Sequence, residues 1–139
     1  LQDPGNLGAI LRVAIAFGID AVVLSKYCVD VFHPKVWRGC VGLSAQLPFI
    51  SEESMSIESI KKAGFKCIGL EAKSNKSIRD LSYQKCMIVL GSEGQGISQV
   101  IKKECDDFFA ISIQEGIDSL NVAVSAGIVA YHLSGMDFA

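Results

Sequence analysis

The sequence predicts an α/β fold, a parallel sheet flanked by helices, and three observations point to it. Short apolar runs recur along the chain at 21–24, 66–70, 87–90 and 108–111. Each is almost wholly apolar, without the alternation of a half-exposed strand, as expected for strands buried on both faces. Helical segments separate them, and strands that alternate with helices build parallel sheets.

Taken in order, Asn6 is a good N-cap for a helix over 7–17, closed by Gly18, where a left-handed residue is wanted. A strand follows at 21–24, then a helix over 34–46 opened by Pro34 and bounded by Pro48. The segment 54–63 is amphipathic and stops at Gly64, before a strand at 66–70, a polar loop over 73–83 and a strongly apolar strand at 87–90. A short helix over 98–104 leads to the strand at 108–111, and a last helix runs over 120–133 behind Ser119 or Asp118 as its cap. There is no internal repeat, low-complexity tract or linker.

A chain of 139 residues, half hydrophobic and one fifth charged, suits one compact domain spanning 1–139. It opens at Leu1 on a helix start, so a strand or a further domain is expected upstream. The longest apolar segment, 122–133, is interrupted by Ser125, Gly127 and His132 and is too short to span a bilayer, so no membrane partner is expected. Five cysteines without a CxxC pair, beside two histidines, fit neither a disulfide framework nor a zinc site; a reducing cytoplasm is the simple setting, and no metal is expected. The net charge of −2 excludes a strongly basic nucleic-acid module. Any nucleic acid would be gripped by a local patch, a dimer partner or a missing segment. Lys26, Lys35 and Arg38 are either such a patch or ordinary solvated surface.

Parallel sheets bind ligands at the carboxyl ends of their strands, which directs attention to the loops after Leu24, Leu70, Leu90 and Ile111. Two are unusual. Leu90-Gly91-Ser92-Glu93-Gly94-Gln95-Gly96 follows the best strand; its glycines serve a tight turn or allow backbone to approach a ligand, and it is neither GxGxxG nor a P-loop. Ile111-Ser112-Ile113 swings through a polar turn to Ser119-Leu120-Asn121-Val122. Ser119 reads as a helix cap, whereas Asn121, at the start of an apolar helix, is a candidate ligand or backbone clamp. Arg12, inside the first helix among small neighbours Gly8, Ala9 and Ala16, either snorkels to solvent or recognises a phosphate or hydroxyl with its planar fork.

Asp3-Pro4-Gly5-Asn6-Leu7-Gly8-Ala9-Ile10-Leu11-Arg12 through Phe17-Gly18, then Val89-Leu90-Gly91-Ser92-Glu93-Gly94, then Ser119-Leu120-Asn121-Val122, resemble the three ordered motifs of the SpoU/TrmH RNA 2′-O-ribose methyltransferases of the SPOUT superfamily. Arg38-Gly39-Cys40-Val41-Gly42 resembles a small-residue segment of that family, with Cys40 where serine is common. The loop Ile111-Ser112-Ile113 departs from the family's Ile-Pro-Met, losing a proline's restraint and gaining a hydroxyl. The resemblance implies a C-terminal deep trefoil knot and S-adenosyl-L-methionine as cofactor. It implies contacts at Leu90, Gly91, Glu93, Gly94, Ile111, Ile113, Ser119 and Leu120, and a homodimer whose active site is completed across the interface. It further implies a catalytic set of Arg12, Asn6, Glu93, Ser119 and Asn121 acting on the ribose 2′-hydroxyl of structured RNA, ribosomal RNA ahead of transfer RNA, with an upstream RNA-recognition domain in some members. An arginine stays protonated, so Arg12 is better suited to orienting the hydroxyl or a phosphate than to acting as a base. The nearest alternative is a methyltransferase-like RNA-binding or assembly module without catalysis; a more distant one is an ordinary nucleotide-binding enzyme.

Overall fold

The computed structural model describes residues 1–42, 46 and 48–135, in the order α1 (Pro4–Ala16), β1 (Val22–Leu24), α2 (Pro34–Gly39), β2 (Phe49–Ser51), α3 (Ile57–Lys62), β3 (Lys66–Leu70), β4 (Cys86–Val89), α4 (Gln99–Glu104), β5 (Asp107–Phe109) and α5 (Val122–Ser134). It is the expected α/β arrangement, in two compact units: Leu1–Met55 with the C-terminal stretch from Ala126, and Ser56–Ser125. Each unit has its own parallel sheet.

In the first unit β1 pairs in parallel with β2, Val22 opposite Phe49. β2 is not legible in the sequence, because its three residues directly after Pro48 carry too little pattern. α1 begins a turn earlier than expected. Asp3, not Asn6, is its N-cap: the Asp3 carboxylate accepts the Gly5 N–H at 2.8 Å and Pro4 occupies the first turn, where its missing N–H costs nothing. Gly18 ends it as expected, in the left-handed region at φ 68°. α2 is shorter than the predicted 34–46, ending at Gly39, with Val41 (φ 58°) and Gly42 (φ 70°) both left-handed; residues 43–45 of that prediction lie outside the described residues.

The core of this unit is Leu7, Leu11, Ala14, Val36 and Cys40, where α1 meets α2. Two glycines allow the approach: a Cβ on Gly8 would lie 2.7 Å from the Val36 carbonyl oxygen and 2.9 Å from the Gly39 Cα. Cys40 behaves as a small buried apolar group, its thiol donating to the Trp37 carbonyl at 3.4 Å. α5 also meets α1 here, the Phe17 and Tyr131 rings packing edge to face at 5.9 Å.

In the second unit the sheet order is β4-β3-β5, all parallel. β3 is central and its Cys67 and Ile68 are fully buried. Within the polar loop a turn of 3-10 helix, Ile78–Asp80, is tied to the end of β5: the Ile78 N–H donates to the Ala110 carbonyl and the Ala110 N–H to the Lys76 carbonyl, both at 2.7 Å. The start of β5 is held by ion pairs, Lys61 to Asp106 at 2.9 Å and Lys76 to Asp107 at 2.6 Å. The Cys67 N–H foremost, and the Lys61 ammonium after it, keep the Asp106 carboxyl below the usual carboxylate range.

Candidate active site

The chain leaves β3 on one side for β4, then crosses to the other side of β3 for β5. Such a reversal of strand order leaves a crevice at the carboxyl ends of the strands. A cavity of about 680 Å³ lies there, lined from all three strand ends by Leu70 and Glu71, by Leu90 to Gly94 with Gly96 and Ile97, and by Ile111 and Ile113; the segment 119–122, Lys73, Lys102 and Ser125 complete it. That volume is in the range of small-molecule sites, about 300–1,000 Å³.

The loop after β4 is shaped by its glycines. The Ser92 N–H donates to the Gly96 carbonyl at 3.0 Å and the Gly96 N–H to the Ser92 carbonyl at 2.9 Å, closing a tight turn in which Gly94 (φ 78°) and Gly96 (φ 67°) are left-handed. Gly91 lies so close to the returning strand that a Cβ would sit 2.4 Å from the Gly96 carbonyl carbon. The tight-turn reading of these glycines is what the geometry shows, and the turn brings backbone and the exposed Glu93 to the cavity.

On the opposite side, Asn121 caps α5. Its side-chain oxygen accepts the N–H groups of Ala123 at 2.9 Å and Val124 at 3.3 Å, and its carbonyl accepts that of Ser125. Ser119, expected as the cap, sits outside the helix and faces the cavity. Ser112, which stands where the family has proline, places its hydroxyl 3.5 Å from that of Ser77. This weak tie holds the loop to the Ile78–Asp80 turn in place of a proline's fixed backbone.

All eight expected cofactor contacts, Leu90, Gly91, Glu93, Gly94, Ile111, Ile113, Ser119 and Leu120, line this one cavity, and Asn121 joins them. Asn6 and Arg12 lie on α1 in the first unit. Arg12 is exposed and forms no ion pair among the described residues. Of the small neighbours beside it, Gly8 is met by α2 of the same chain. The loop after Leu70, expected at a ligand-binding strand end, also contributes residues. There Glu71 forms an ion pair with Lys102 of α4, both lining the cavity. The available signal was Glu71 alone, a charge directly after an apolar strand; its partner on α4 is distant in sequence. Nearby, Cys67 and Cys105 approach to 3.9 Å, and burial foremost pushes the Cys67 thiol up to about 12, so it is poorly suited to nucleophilic chemistry.

The model of the SpoU rRNA methylase family matches residues 1–131. The chain belongs to this family. Among its relatives, an uncharacterized tRNA/rRNA methyltransferase of Synechocystis is 37% identical over 134 residues, covering 94% of this chain and 49% of that protein. The Bacillus subtilis 23S rRNA (guanosine(2553)-2′-O)-methyltransferase RlmP is 32% identical over 97% of this chain and 55% of its own length. The chain therefore spans about half the length of the curated relatives it matches. Among solved structures, an RNA 2′-O ribose methyltransferase superimposes with a TM-score of 0.86 at 29% identity, covering 98% of this chain and 53% of that one. The SpoU methyltransferase AviRb of Streptomyces viridochromogenes, solved in complex with AdoMet, gives 0.88 at 25% identity over 96% of this chain and 55% of its own. These likenesses agree with the parallel sheets and flanking helices described above.

Proposed function

We propose that residues 1–139 act as the catalytic domain of an S-adenosyl-L-methionine-dependent RNA methyltransferase that modifies a ribose 2′-hydroxyl, with ribosomal RNA favoured over transfer RNA. The observation that carries this reading is the convergence of the loop after β4 and the 119–122 segment, two family motifs far apart in sequence, on one cavity.

The residues present suit the cofactor. Leu70, Leu90, Ile97, Ile111 and Leu120 offer apolar walls to a purine, and backbone groups at the strand ends offer hydrogen bonds to its edge. The acid of Glu93 suits a cationic sulfonium. When bound, S-adenosyl-L-methionine supplies an electrophilic methyl group. The protein's part is to hold the ribose oxygen in line with it and to help the hydroxyl lose its proton. We assign Arg12 to orienting that hydroxyl or its neighbouring phosphate, since a guanidinium donates hydrogen bonds and keeps its charge. Glu93, Ser119 and Asn121 support the cavity, Asn121 by fixing the first turn of α5, and Asn6 is assigned to catalysis on the family likeness.

A homodimer is part of the proposal, supported by the exposed Ile128 and Tyr131, which lie three residues apart on one face of α5. A trefoil knot in the C-terminal path is proposed on the family likeness. A cytoplasmic setting is supported by five free cysteines, and no helix among the described residues is long and apolar enough to cross a membrane.

The test is transfer of labelled methyl from S-adenosyl-L-methionine to bulk ribosomal and transfer RNA by the full-length protein, with digestion to nucleosides. A 2′-O-methylated nucleoside is expected, falling on the order of 100-fold in Arg12→Ala through lost positioning. Cofactor binding without transfer to either RNA would favour a non-catalytic module.

A further inference from the structure

The loop that follows β1 and runs into α2 has features the cavity chemistry does not use. Tyr27 is 71% and Phe32 69% exposed, on two successive turns closed by the Cys28 N–H to the Ser25 carbonyl and the His33 N–H to the Asp30 carbonyl. Exposed rings of this size on a short segment are uncommon without a partner. Neither is a loose side chain. The Lys26 ammonium lies 5.0 Å from the centre of the Tyr27 ring, and Phe32 stacks on Trp37 at 6.5 Å with the planes 24° apart.

Charge follows the same segment. Residues 25–40 carry three fixed cations, Lys26, Lys35 and Arg38, against the single carboxylate of Asp30, in a chain whose net charge is −2. The three cations form no ion pair among the described residues, whereas the Asp30 carboxylate accepts the Phe32 N–H at 2.9 Å and so shapes the loop. The loop also borders a cavity of about 290 Å³ at the carboxyl ends of β1 and β2, lined by Ser25, Cys28 and Val29 to Val31 among others. Exposed rings interleaved with unpaired cations are the chemistry that holds single-stranded nucleic acid: bases stack on the rings and phosphates meet the cations. A protein partner would more often meet the rings with an apolar surface and leave the cations at its rim.

We propose that this loop and the first turns of α2 bind an unpaired stretch of the RNA substrate, with bases stacked on Tyr27 and Phe32 and phosphates held by Lys26, Lys35 and Arg38. The proposal builds on the RNA methyltransferase reading and adds where the RNA lies and in what form. A duplex, whose bases are already stacked, gains from the cations only.

The experiment measures binding of a short fluorescent oligouridine strand, and of an RNA duplex of equal length, to the full-length protein across a salt series. Calorimetry with S-adenosyl-L-methionine and sedimentation are run on the same samples. Tyr27→Ala and Phe32→Ala are each expected to weaken oligouridine binding by roughly 5- to 100-fold, with duplex and cofactor binding unchanged, and Tyr27→Phe to retain the wild-type affinity. Lys35→Ala and Arg38→Ala are each expected to make the slope of log affinity on log salt shallower by about 0.7 for the single strand. Unchanged oligouridine binding in both ring variants, while the wild type still transfers methyl to RNA, would overturn the surface and leave the function standing. A change in sedimentation in place of a change in RNA affinity would overturn it in favour of a second copy. A wild type that binds neither cofactor nor RNA would remove both readings.

Discussion

Glycine brings backbone against backbone in two places, and they are used differently. Gly8 on α1 faces Gly39 on α2 inside a closed core, where Leu11, Val36 and Cys40 are fully buried. Gly91 faces Gly96 within a loop whose residues 92–96 are exposed and which borders the large cavity. A side chain clashes at both. In the core the neighbours are two helices held by their packing, so strain has no outlet. At the loop the neighbours are the backbone of Gly96 and Ile97, and that backbone is the cavity wall. The first glycine is therefore a packing residue of the core and the second shapes the cavity wall, although the chemical reason for glycine is the same.

The largest effect expected is on Gly8→Ala. Its methyl would meet the Val36 carbonyl at 2.7 Å, and overpacking against backbone is expected to cost about 3 kcal/mol, read as a lowered urea midpoint. If the midpoint holds, the helices can slide and the contrast with the loop is lost. Gly91→Ala should add a second effect: its Cβ would meet the Gly96 backbone at 2.4 Å, so stability falls and methyl transfer also falls, on the order of 100-fold, through misplacement of the cavity wall. Methyl transfer that survives in the folded variant would make the loop part of the folded framework alone.

Asn121 refines the comparison because it both caps α5 and lines the cavity. Asn121→Ala should destabilise by about 1 kcal/mol through loss of the α5 cap, whereas Asn121→Asp keeps a capping oxygen and should recover that stability. If Asn121→Asp also recovers methyl transfer, the residue is a cap alone. The smallest effect is expected at Asp106, whose carboxyl is held below its ordinary value of 3.8 by the Cys67 N–H and Lys61. A depressed carboxyl stabilises the fold above its unfolded value and loses that contribution as pH falls through the folded one. Asp106→Asn should thus be less stable than wild type near neutrality, and the difference should shrink below about pH 4. A difference independent of pH would assign the effect to geometry instead of charge.

The strands of the second unit were legible because burial on both faces leaves long apolar runs: β3 occupies the expected 66–70, and β4 and β5 are shifted by one residue at their starts. β2 was not, since its three residues become a strand only by pairing with β1. Helix ends were read least well. Asp3-Pro4 outranked Asn6 as a start, Asn121 outranked Ser119, and Gly39 with left-handed Val41 stopped a helix whose composition would have carried it further. Caps are competitions among neighbouring polar side chains, and composition does not name the winner.

The sequence by itself determined the class of the chain and pointed to candidate site residues, because motif residues and apolar runs are local and survive without coordinates. Only the tertiary structure decided that eight expected contacts and Asn121 surround one cavity, that Glu71 and Lys102 join them, and that Gly8, among the small neighbours of Arg12, is met by α2. These are contacts between segments tens of residues apart, set by strand order and by how closely two backbones can approach, and no local pattern encodes either.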